Sequence, residues 1–142
     1  MQKLLHAFLL FILSTVAFGQ GVVVSYPPAG TSVKRGDHIR VQIDRPDSLS
    51  SSFEIGVGIA IAPCGTRPCF LPEDFMGYVL YHGGYNPVLI NGRGLTLVQN
   101  FSVEVPSTFP TGPAQLNIAH ATLIGAGSIP YTQTLNTSLI VV

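Results

Sequence analysis

The stretch Phe53-Glu54-Ile55-Gly56-Val57-Gly58-Ile59-Ala60-Ile61-Ala62 alternates a large apolar residue with a small or polar one. Successive side chains of a β-strand point to opposite faces, so this alternation reads as a central strand with Phe53, Ile55, Val57, Ile59 and Ile61 on its buried side. Four of those five are β-branched, which favours the extended backbone. The opposite face, Glu54, Gly56, Gly58, Ala60 and Ala62, is unusually small. Such a face either packs beneath a loop or admits a close neighbour.

Working outward, the same period of two recurs. Asp37 to Asp44 sets Ile39, Val41 and Ile43 against His38, Arg40, Gln42 and Asp44. Val22 to Tyr26 and Gly77 to His82 read as shorter strands. Leu95 to Val105 turns Leu95, Leu97, Phe101, Val103 and Val105 inward, Ala114 to Ile124 does so with Leu116 and Ile118, and Thr134 to Val142 with Leu135, Leu139 and Val141. Fifteen glycines and eleven prolines leave no window in which a 3.6-residue apolar period persists. About seven strands, no helix and a proline-rich crossing from Pro106 to Pro113 predict an all-β, immunoglobulin-like Greek-key β-sandwich.

The chain has 142 residues, 46% hydrophobic and 10% charged, with a formal net charge of zero. That length suits one domain, and the balance lacks both the basic footprint of nucleic-acid binders and the high charge of disordered chains. Lys3 followed by the apolar run Leu4 to Ala17 and the small-x-small site Ala17-Phe18-Gly19 reads as a signal peptide over residues 1–19. The run is too short for a membrane span, which needs roughly 20 residues. A single sandwich domain over 20–142 is expected to be secreted and soluble, with one more acid than base once Lys3 is removed.

In an oxidising compartment, Cys64 and Cys69 are expected to form a disulfide, a six-residue ring that restricts the unfolded chain by only about 2 kcal/mol. Asn100-Phe101-Ser102 and Asn136-Thr137-Ser138 are N-glycosylation sequons whose asparagines fall on the outward parity of their strands. If alternate loops share one end of the sandwich, the segments Pro46 to Ser52, Gly83 to Gly94 and Gly125 to Gln133 converge. They carry Tyr85, Asn86, Arg93 and Tyr131 amid Ser, Gly and Asn, a composition suited to contact with a partner. The plainer alternative is ordinary turn chemistry, since Gly83-Gly84 and Asn91-Gly92 serve any hairpin.

Catalytic and cofactor signals are weak. A copper site would need a free cysteine grouped with His38, His82 or His120, and both cysteines are better assigned to a bridge. His120 shares parity with Leu116 and Ile118 and is expected as a hydrogen-bonded core or edge residue. Glu73-Asp74 reads as a solvated acid pair, and no nucleophile motif is present. The expectation is a binding protein without a cofactor or catalysis.

Four strings, Gly30-Thr31-Ser32-Val33-Lys34-Arg35-Gly36-Asp37, Asn100-Phe101-Ser102-Val103-Glu104-Val105-Pro106, Gly112-Pro113-Ala114-Gln115-Leu116 and Leu135-Asn136-Thr137-Ser138-Leu139, together resemble small secreted fungal proteins related to the necrosis-inducing secreted effector family. The resemblance is least between Cys64 and Gly94. It implies a secreted effector that damps pattern-triggered immunity of a host plant by binding receptor-associated kinases, and it carries no binding residue over. The composition leaves open a cell-wall or carbohydrate-associated structural protein, whose partner would be a wall glycan.

Overall fold

The computed structural model describes residues 21–47, 50–92 and 94–142, so the expected signal peptide and Arg93 lie outside the described residues. Among the described residues there is no helix, and nine strands run in order. They are β1 (Val23–Tyr26), β2 (Thr31–Val33), β3 (His38–Pro46), β4 (Ser52–Pro63), β5 (Tyr78–Gly83), β6 (Val88–Leu89), β7 (Thr96–Glu104), β8 (Gly112–Ile124) and β9 (Ile129–Val141). One sheet has the order β1-β3-β7-β6 and the other β2-β9-β8-β4-β5. All pairings are antiparallel except β2 with β9.

This is the immunoglobulin-like sandwich that the strand pattern predicts, with two very short strands, β2 and β6, beyond the expected seven. The strand from Tyr78 lies beside β4 in the larger sheet, and β6 fills the edge of the smaller one. Between the sheets pack Val41 and Ile43 from β3, Val57, Ile59 and Ile61 from β4, Phe101 and Val103 from β7, Leu116 and Ile118 from β8, and Leu139 and Val141 from β9. Each fully buried aliphatic or aromatic side chain contributes about 1.5–3 kcal/mol through area removed from water.

Three inward assignments fail, for two reasons. Phe53 and Ile55 are 71% and 57% exposed because the β4–β8 register shifts between Glu54 and Gly56. The extra residue of a bulge reverses the side-chain parity, so Glu54 rather than Phe53 turns toward the second sheet. Leu95 precedes β7 and is exposed. The small face of β4 divides: Ala60 and Ala62 are buried, whereas Gly56 and Gly58 remain half-covered.

Candidate functional site

Tyr85 is not available to a partner. It lies on the segment that crosses from β5 in one sheet to β6 in the other, a path that carries its side chain between the layers, and it is 1% exposed. Its ring packs edge-on to His120 at 5.4 Å and its hydroxyl donates to Ile43 O at 3.3 Å. Burial, followed by the Glu54 carboxylate, raises the phenol above its ordinary pKa of 10.0. Asn86 is exposed, with its N–H donating to Gln99 Oε1 at 2.6 Å, and Tyr131 lies within β9 and is 37% exposed. The loops do share an end: Asp47 N–H donates to Leu95 O and Gly125 N–H to Ser51 O, which ties the three connections together.

Just inside that end, a polar bridge joins the sheets. Arg45 Nη1 of β3 lies 2.9 Å from Glu54 Oε1 of β4 and also meets Ser52 Oγ, and the second Glu54 oxygen is 2.5 Å from His120 Nε2. His120 is buried, with Nδ1 unpartnered. A proton on Nε2, given to Glu54, leaves Nδ1 as a bare acceptor, which costs less than an unmet buried donor. The bridge is an inter-sheet fastening whose imidazole packs against the Tyr85 ring between the layers.

Cys64 and Cys69 form the expected disulfide, with Cα atoms 4.5 Å apart. The ring begins a segment, residues 64–77, that leaves the end of β4 and folds back over the outer face of its own sheet. Gln115 and Asn117 of β8 point to that outer face and are nonetheless buried, because the segment lies on them. Gln115 Nε2 donates to Phe70 O at 3.0 Å and to Asn117 Oδ1 at 2.7 Å. Asn117 Nδ2 donates to Met76 O at 3.0 Å and Phe75 O at 3.3 Å. Pro72 is buried beneath the segment, and Leu71 O accepts from the Asp74 and Phe75 N–H groups, both at 3.0 Å. Gly77, at φ 87°, closes it against β4, where a Cβ would come 2.8 Å from Ala62 Cα.

With its main chain turned inward, this segment holds its large side chains outward. Phe70, Leu71 and Phe75 are 57%, 58% and 45% exposed, and the two rings meet edge to face at 5.7 Å. Val79 of the adjoining edge strand, in register with Ala60 of the outer face, is exposed as well, whereas Tyr78 lies opposite Ile61 on the inner face and meets the Phe109 ring at 5.6 Å. A contiguous apolar surface on a small domain marks an interaction site, and one held rigid loses little side-chain entropy on docking. Glu73 and Asp74 sit in the same turn, both exposed as expected. The arrangement suits recognition through contact area and charge.

Asn100 and Asn136 are both exposed, on different sheets. Asn136 pairs in register with Asn117, so its sequon borders the loop-covered area. Beyond that area the uncovered part of the face forms a shallow trough of about 310 Å³ floored by Gly56, Gly58, Ala119 and Ala121.

Sequence reading missed the residue 70–79 surface because prolines and glycines make the segment look like a plain connection. The available signal was Gln115 and Asn117, two carboxamides side by side on a strand face whose neighbours Ala60 and Ala62 are too small to shield them. No curated protein matches this sequence. The profile of the Nis1 family matches residues 22–140, a span that takes in both sheets, the disulfide ring and the covering segment. The chain therefore belongs to the Nis1 family.

Proposed function

We propose that this protein is a secreted, non-enzymatic fungal effector that suppresses plant immunity by occupying a surface of receptor-associated kinases. Membership of the Nis1 family supports the effector role, and that membership together with the disulfide supports secretion. The observation that carries the binding reading is the tethered segment: Gln115, Asn117 and buried Pro72 fix its backbone while Phe70, Leu71 and Phe75 face solvent. Aromatic and large aliphatic anchors of this kind dominate binding energy at protein interfaces.

The test is secretion of the protein in leaf tissue, followed by measurement of the oxidative burst after a microbial elicitor, with capture on purified kinase domains in parallel. The triple variant Phe70→Ala, Leu71→Ala, Phe75→Ala is expected to lose both suppression and capture while keeping its melting profile. Full retention of both would remove this surface from the mechanism. A second reading, a wall-associated protein, draws on the same exposed rings, since Phe and Tyr faces also stack on sugars. Sedimentation with insoluble chitin or glucan separates the two, because the effector stays in the supernatant.

A further inference from the structure

We infer that the partner of the 70–79 surface is a different protein that presents an apolar cleft bordered by Lys or Arg, and that Glu73 and Asp74 supply the charge that selects it. This rests on the binding reading above and adds the partner's chemistry.

Glu73 and Asp74 lie between Leu71 and Phe75 in a single turn closed by Leu71 O. A partner that covers those apolar side chains therefore also covers or borders both carboxylates. Among the described residues neither acid has an ion-pair partner; Glu73 Oε2 receives only a long hydrogen bond from Thr134 Oγ1 at 3.4 Å. Removing such carboxylates from water without a countercharge is costly, so a neutral or acidic partner surface is penalised and a basic one is favoured.

The same geometry argues against a second copy of this chain. A two-fold contact centred on Leu71 and Phe75 would set one acid pair against the other, a like-charge juxtaposition. It also argues against an anionic membrane, whose surface potential repels both carboxylates.

The experiment is a nuclear magnetic resonance titration of the ¹⁵N-labelled secreted protein with two synthetic amphipathic helical peptides. Both share a leucine face, flanked by Lys in one and by Glu in the other; phosphatidylserine vesicles form a third arm. The Lys peptide is expected to shift the backbone amides of residues 70–76 and to bind about fivefold more tightly than the Glu peptide, the equivalent of two exposed ion pairs. Glu73→Gln with Asp74→Asn, which keeps the hydrogen-bond acceptors, is expected to abolish that preference. Equal binding of both peptides at the segment overturns the charge selection and leaves the binding surface standing. Shifts confined to other residues, or none with either peptide, overturn both. Vesicles that shift the segment while neither peptide does overturn the protein partner.

Discussion

Toward both of its ends the sandwich exposes large apolar side chains, and it holds them differently. At one end Phe70, Leu71 and Phe75 stand on a segment that follows the disulfide ring and is clasped by a buried proline and by carboxamide hydrogen bonds from the sheet. At the other, Val88, Leu89, Ile90 and Leu95 are 62%, 55%, 41% and 72% exposed on a hairpin arm whose strand β6 makes only two residue pairs with β7. The arm's turn passes through Gly92 and Gly94, both at positive φ, and Asp47 N–H bonds to Leu95 O at its base. Exposure alone would rank the ends together. What separates them is how much conformational freedom a partner would still have to remove.

The sharpest way to break this comparison is Asn117→Ala. It strands Phe75 O, Met76 O and the Gln115 amide, and unfolding in urea is expected to show a loss of about 3 kcal/mol, with faster hydrogen exchange at residues 70–76. A loss within about 0.5 kcal/mol, the range of an ordinary surface substitution, would mean the carboxamides are not what holds the segment. Next in size is Cys64→Ser with Cys69→Ser. Opening so small a ring is expected to cost about 2 kcal/mol while exchange at residues 70–76 stays slow. Rapid exchange there would transfer the credit from the carboxamides to the disulfide.

Tyr85 anchors the chain just before the loose arm, and its raised pKa makes it a probe of that end. The unfolded phenol ionises from about pH 10 while the buried one stays protonated, so its contribution is intact below pH 10 and declines above it. The decline is about 1.4 kcal/mol per pH unit until the native phenol also ionises. Tyr85→Phe is expected to cost about 1 kcal/mol at neutral pH through the lost bond to Ile43 O, and to flatten the alkaline fall in melting temperature. Identical alkaline limbs would mean that the hydroxyl is not shielded. The smallest effect belongs to the arm itself: Leu89→Ser is expected to change stability by under about 0.5 kcal/mol, since the side chain is already in water.

The sandwich was legible because alternation in β3, β8 and β9 reports directly which residues face the second sheet: Val41, Ile43, Leu116, Ile118, Leu139 and Val141 are all buried. The shared loop end followed from strand count and was met. The Glu54–Gly56 bulge was not legible, because a register shift is set by cross-strand hydrogen bonding and leaves the local pattern intact. Tyr85 was misplaced because Gly83, Gly84, Asn86 and Pro87 describe the backbone of a turn, whereas burial depends on where that turn crosses the fold. The exposed apolar surface of the covering segment was hidden for a related reason. Phe70, Leu71 and Phe75 gain meaning only once Gln115 and Asn117, some forty residues later, are seen to hold their carbonyls.

The clasp on residues 70–76 runs through amides and carbonyls, with the sulfur bridge set to one side of it. A reductant strong enough to open the Cys64–Cys69 ring would act beside that clasp, not on it. The carboxamide bonds need no sulfur, so Phe70, Leu71 and Phe75 are expected to be held alike in the oxidised and the reduced protein.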